Sequence, residues 1–200
     1  MHKRAGHPYI PTPDGTPDLR LVWHVSDLPA APRLPDGYQL RLAQPEDGPA
    51  FEELHSLAWP YEYPFQTFLE IALPGGLFVV EHNASGLLVS SCIASRPGVW
   101  KDYPDTGSLG WLVTDPVHQG IGLATSIVLA VMNRLAAEGY ETVYLSTEDE
   151  RLAAIHIYLK LGWQPLIYTE GMGERWEGIH EALGARDSRI HTADTAGEQT

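Results

Sequence analysis

Along residues 108–163 the spacing of apolar side chains changes period from strand to helix and back. From Ser108 to Val113, Leu109, Trp111 and Val113 alternate with smaller partners, the two-residue period of a half-buried strand. Leu123, Ile127, Val131 and Leu135 then recur four residues apart, which predicts a helix with one apolar stripe facing a sheet, and Gly139 stands where its C-terminal cap belongs. Val143 and Leu145 restore the strand period between Glu141 and Thr147, and a short helix follows from Arg151 to Leu161. Upstream, the pattern predicts a strand over Tyr38–Leu42, a helix from about Pro45 to Ala58 and a hairpin from Leu77 to Ala94, with Asn83, Ser85 and Gly86 at its turn. Leu19 to Val25 is a candidate short strand within a proline-rich stretch.

Between the strand ending at Val113 and the helix starting at Leu123 lies Thr114-Asp115-Pro116-Val117-His118-Gln119-Gly120-Ile121-Gly122. A helix start carries backbone N–H groups without intrahelical partners and a partial positive charge, so an anion is stabilised there. Gly120 and Gly122 lack the Cβ that would hold a ligand off the backbone. Spacing separates the glycine turns that bind phosphate. A Walker loop needs a Gly-Lys-Ser/Thr ending, and no lysine occupies that place. A dinucleotide fingerprint wants a third small residue where Thr125 stands, a tighter turn than Pro116 to His118 allows, and a longer run of strand–helix repeats than about 75 further residues supply.

The remaining pattern, Gln/Arg-x-x-Gly-x-Gly/Ala, reads here as Gln119, Gly122 and Ala124, and it resembles the acetyl-coenzyme A loop of the GNAT acyltransferase superfamily. Residues 151–163, with Ala154, Ile155 and Tyr158 on a short helix ending Lys160-Leu161-Gly162-Trp163, resemble the second signature of that family. The resemblance implies an α/β (α+β) fold, a central mixed and mostly antiparallel sheet splayed between the family's strands four and five and flanked by helices. It implies acetyl-CoA as acyl donor, no metal, and direct transfer of the acyl group to a primary amine of a small molecule or peptide. A second reading from the same fold is a regulatory module that binds acyl-CoA without turnover.

The resemblance also assigns roles. Gln119, Gly120, Ile121, Gly122, Leu123 and Ala124 would hold the pyrophosphate, and backbone groups of Leu112 and Val113 would hold the pantetheine arm and polarise the thioester carbonyl. Tyr158 would donate a proton to the departing thiolate. An attacking amine must first lose its own proton, and Glu148, Glu81 and Asp105 each end or precede a strand from which a carboxylate reaches the cleft; Glu148 is taken as the base. Arg151 replaces the asparagine that usually opens the second signature helix. It can pair with a coenzyme phosphate or bridge to Glu148 or Asp149. Thr147 and Glu150 have the spacing of a capping box for the same helix. The segment between the first two helices, with Trp59, Tyr61 and Glu62, falls where the family's acceptor loop lies. Aromatic faces beside a carboxylate suit an ammonium group. Trp100, Tyr103 and Asp105 would form the opposite wall.

Composition narrows the partners. Net charge is −13, and residues 38–184 carry seven basic against nineteen acidic groups, which disfavours nucleic acid and favours a cationic amine. The 200 residues, 44% hydrophobic, suit one enzyme-sized domain at 38–184, preceded by a proline-rich extension at 1–37 and followed by a disordered tail at 185–200. No apolar run is long enough for a membrane span, and Met1 to Pro13 is too polar for a signal peptide, so a cytoplasmic location without membrane association is expected. The single Cys92, in an apolar run, is expected to be a buried small hydrophobe. Homodimerisation stays open.

Overall fold

The computed structural model describes residues 16–25, 31–59, 63–97 and 103–196. Its strands are β1 (Leu19–His24), β2 (Tyr38–Leu42), β3 (Ala72–His82), β4 (Leu87–Ser95), β5 (Ser108–Thr114), β6 (Thr142–Thr147) and β7 (Gln164–Pro165). Its helices are α1 (Gly48–Ser56), α2 (Phe65–Ile71), α3 (Leu123–Ala137), α4 (Leu152–Lys160) and α5 (Met172–Ala196). The strands form a seven-stranded, mostly antiparallel sheet flanked by helices, the fold class implied by the resemblance. The chain divides into two compact units, one running from Trp23 to Leu145, the other made of the segment up to Val22 with the residues from Ser146 onward.

In the first unit the strand order is β2-β3-β4-β5-β6. β2, β3, β4 and β5 are antiparallel in succession, with Leu40 opposite Val80 and Val79 opposite Ser91. β4 is buried at every position after Leu87. That continuous burial has a simple cause, since α1 packs on one face of β4 and α3 on the other. The predicted stripe of α3 is fully inside, with Leu123 1% and Ile127, Val131 and Leu135 each 0% exposed. Each such side chain stabilises the fold by about 1.5–3 kcal/mol. The opposite face holds Phe51, Leu54, Phe65, Phe68, Leu77, Val79, Ile93 and Val113 in one apolar cluster.

Two features set β5 apart from the other strands. It runs parallel to β6, paired at its first residue, Ser108 with Tyr144, and no ladder with β6 continues along it among the described residues. That is the splay expected between these strands. Its pairing with β4 slips by one residue: Ser91 lies opposite Val113 and Ile93 opposite Gly110, so Trp111 and Leu112 share the single partner position of Cys92. This bulge puts Trp111 in the left-handed region, φ 57°. Simple strand alternation does not anticipate it.

In the second unit β1 pairs antiparallel with β7, Leu21 opposite Pro165 and Val22 opposite Gln164. The candidate strand of the proline-rich stretch therefore exists, and Leu19 and Leu21 are completely buried. The Arg20 guanidinium lies 4.2 Å above the Tyr168 ring, whose hydroxyl donates to the Asp18 carbonyl. Among the described residues no helix is long and apolar enough to cross a membrane. Part of the stretch expected to be a tail, up to Ala196, lies in α5.

Candidate active site

The glycine loop is shaped by its own side chains. Asp115 accepts from the Val117 N–H at 2.9 Å and starts a single 3-10 turn, Pro116–His118. Gln119 turns back and donates through Nε2 to the Thr114 carbonyl at 3.0 Å, closing the loop onto the end of β5. Gly120 (φ 81°) and Gly122 (φ 89°) are both left-handed, a conformation that costs other L-residues about 1–2 kcal/mol. A Cβ built on either would meet nothing within 4 Å. Glycine is therefore required here by backbone conformation, and the space above it is open. Gly122 is the N-cap of α3, and the first helical hydrogen bond runs from Ser126 N–H to Gly122 O at 3.0 Å. The amides of Leu123, Ala124 and Thr125 thus have no intrahelical acceptor, and the exposed loop leaves them accessible to an anion. His118, also in the loop, is held by Tyr38, Oη to Nδ1 2.9 Å.

Leu112 is the second residue of the bulge, and Val113 follows it. Ser90 Oγ donates to the Val113 carbonyl at 2.8 Å from the β4 side. The edge of β5 turned toward β6 carries no ladder here among the described residues, so backbone groups on that edge are available to an extended ligand. Cys92, fully buried as expected, points Sγ at the Gly110 carbonyl across the bulge, 3.5 Å away. Burial pushes its thiol far above the ordinary range, which leaves it an inert core residue.

Of the acceptor residues expected from sequence, Trp59 is described, whereas Tyr61, Glu62 and Trp100 lie outside the described residues. Trp59 meets the Trp111 ring edge-on at 5.0 Å, Tyr63 meets it at 5.5 Å, and Phe68 at 5.0 Å. The segment expected from sequence to line the acceptor pocket is thereby joined, through Trp59 and Tyr63, to the bulge at Trp111 and Leu112. Tyr103 is stacked on Tyr144 of β6, 3.7 Å between centroids, and Asp105 is exposed. Glu81 is paired with Arg41, which binds it at 2.8 Å and Asp47 at 2.7 Å.

His55 belongs to no motif that marks it in the sequence. It lies on α1 beneath the Trp59 and Trp111 rings, stacked on Phe51 at 3.9 Å, with Nε2 2.8 Å from Ser91 Oγ. Nδ1 is buried and has no hydrogen-bond partner among the described residues. Burial lowers its pKa to about 3, so the ring is neutral at physiological pH. The available signal was a polar residue at the position after Leu54, four beyond Phe51, inside an apolar helix stripe.

In the second unit α4 carries the other signature. Ile155 is 0% and Tyr158 5% exposed, and Tyr158 lies 6.2 Å from Trp163. Gly162 (φ 87°) turns the chain after the helix. Arg151 is the N-cap of α4 and is bridged to Glu148, one of the two alternatives its sequence allowed. The capping box between Thr147 and Glu150 does not form: Thr147 ends β6 and is buried, while the helix begins five residues later at Leu152. Arg175 holds Asp149, Nε to carboxylate 3.2 Å. Burial, reinforced by the Glu148 charge, raises the Asp18 carboxyl to about 6. Among the described residues no cluster of His, Cys, Asp and Glu has metal-binding form.

Comparison with known proteins points the same way. The profile of the acetyltransferase (GNAT) family matches residues 41–163, well over half the chain. A mycothiol acetyltransferase of Nocardia farcinica is 29% identical over 76% of this chain and 55% of its own, and one of Sanguibacter keddieii is 32% identical over 68% and 46%. The chain therefore spans about half the length of these relatives. A GCN5-related N-acetyltransferase from Sphaerobacter thermophilus shares the fold, TM-score 0.60 at 19% identity over 74% of this chain and 48% of that one. With the profile covering both the glycine loop and the α4 signature, the chain belongs to the acetyltransferase (GNAT) family.

Proposed function

We propose that this protein is an acetyl-CoA-dependent N-acetyltransferase that moves an acyl group directly to a primary amine of a small molecule or peptide. The observation that carries the reading is the loop from Gln119 to Ala124, with two left-handed glycines, open space above them and the free amides of a helix start. Those features fit a pyrophosphate. Acetyl-CoA supplies an activated acyl thioester. Gln119 closes the loop, and the amides of Gly120, Ile121, Gly122, Leu123 and Ala124 face the phosphates. Backbone groups of Leu112 and Val113 on the unladdered edge of β5 hold the pantetheine and polarise the carbonyl. The Tyr158 hydroxyl acts as the acid.

For the base, the carboxyl pair Glu148 and Asp18 is favoured over Glu81 and Asp105. Its members repel one another, and Asp18 with a value of about 6 is suited to take up a proton near neutral pH. Arg151 then orients Glu148. Trp59 with Tyr61 and Glu62 forms the acceptor wall, and the acidic charge of the chain draws in a cationic amine. The names of the relatives make a mycothiol-type amine the first acceptor to try. The acyltransferase domain is assigned to residues 38–184 with β1 (Leu19–His24) added to it, and its place of action to the cytoplasm without nucleic acid or membrane partners.

The test is calorimetry with CoA, followed by thiol release from acetyl-CoA with a panel of amines. Binding with release supports the enzyme. Binding and a raised melting temperature without release from any amine would make the protein the non-catalytic acyl-CoA module. Absence of binding refutes both.

A further inference from the structure

The buried imidazole of His55 is not explained by packing. Its neighbours Phe51, Phe68, Trp59 and Trp111 are all aromatic, and a phenyl ring in its place would leave no bare nitrogen. A buried polar atom without a partner destabilises the folded state, so its retention calls for a cause beyond core filling. What the imidazole has and a phenyl ring lacks is the contact with Ser91 Oγ at 2.8 Å. Ser91 is itself completely buried, and it stands directly opposite Val113 in the β4–β5 register, at the edge of the bulge.

The bulge needs such a tie. Tryptophan at φ 57° is an unfavourable occupant of the left-handed region, and it persists only where surrounding structure fixes it. The Trp111 ring is enclosed by Trp59, Tyr63 and Phe68, and it lies near-parallel to His55, 29° between planes and 6.2 Å between centroids. His55 is in turn locked between Phe51 and Ser91. One contiguous set of contacts thus links α1, the acceptor segment, β4 and the bulged residue before Leu112. All of it lies in the first unit.

We propose that His55 is a positioning residue for acyl transfer: through Ser91 and Trp111 it fixes the β5 bulge, and so aims the Leu112 and Val113 backbone at the thioester. The proposal rests on the reading of the glycine loop as a coenzyme site. Preorganised donors lose their advantage when displaced by small distances, so loosening the bulge lowers turnover while the pyrophosphate loop, built separately, keeps its affinity.

The decisive variant is the double substitution His55→Phe with Ser91→Ala, which removes both hydrogen-bonding partners together and strands neither. It is compared with wild type and with His55→Gln, whose side-chain amide retains a hydrogen-bonding group for Ser91. The measurements are CoA affinity by calorimetry, melting temperature, and kcat and KM from thiol release with acetyl-CoA and the best amine of the panel. The expected result is a folded double variant with CoA affinity within about twofold of wild type and kcat down by about tenfold or more, with His55→Gln recovering most of it. An undiminished kcat in the folded double variant overturns the proposal. So does a loss that His55→Gln fails to recover, because filling the core alone would then account for it. If the double variant does not fold, Trp111→Gly, which accepts the left-handed backbone without the ring, is compared with Trp111→Phe. A lower kcat in the glycine variant supports the proposal, and equality with wild type in both overturns it. Wild-type protein that binds no CoA refutes the coenzyme reading itself, an outcome the titration reveals before any variant is made.

Discussion

Acidification should weaken this fold through one side chain. His55 has an ordinary value of 6.5 when unfolded and about 3 when buried among Phe51, Phe68 and Trp59, so between those limits the unfolded chain binds a proton that the folded chain refuses. Stability is complete above pH 6.5 and is lost progressively as pH falls toward 3. Over the interval from pH 7.5 to pH 4.5 the loss amounts to roughly 2–3 kcal/mol, taking 1.36 kcal/mol per unit over the two units below 6.5. Asp18 acts in the opposite direction. Its carboxyl is raised to about 6, so the folded chain holds that proton more tightly, and this contribution grows as pH falls from 6 toward 4. Wild type alone therefore gives an ambiguous curve. Comparing wild type with the His55→Phe/Ser91→Ala double variant cancels Asp18 and the other carboxylates. Urea unfolding at pH 7.5 and pH 4.5 should show the variant gaining on wild type at low pH by a midpoint difference on the order of 1 M. Equal acid sensitivity of the two proteins would refute a neutral, buried His55.

Three further outcomes are expected. Gly122→Ala, forced into φ 89°, should cost about 1–2 kcal/mol and reduce CoA affinity about tenfold or more, with the new Cβ standing in the open space over the loop; unchanged calorimetric affinity would count against the phosphate cradle. Tyr158→Phe should lower kcat on the order of 10²-fold with CoA affinity retained, and equal turnover would remove it as the acid. Asp18→Asn should raise the melting temperature at pH 8 and leave it nearly unchanged at pH 4, where the wild-type group is already protonated; since the group is about half buried, screening holds the gain to about 1 kcal/mol or less.

Features that depend only on neighbours along the chain are legible from residue order. The four-residue stripe of α3, the alternation in β6 and the hairpin of β3 and β4 follow from periodicity, because a helix or strand must turn its apolar side chains toward one buried face. The glycine loop was legible for the same reason: Gly120 and Gly122 act through their own backbone angles and a helix start beside them. Features that depend on partners far away in sequence emerge only on folding. That Arg151 bridges to Glu148, and that Glu81 pairs with Arg41, are choices among competing charges that spacing leaves equal. Thr147 looked like a helix cap because local chemistry allows it, and the end of β6 overrode that. The bulge at Trp111 exists because β4 and β5 must pair in a slipped register, and the value of His55 arises only when Ser91, 36 positions away, is brought to 2.8 Å. Local preference is written in short-range sterics, whereas register, burial and pairing are fixed only when distant segments compete for the same interior space.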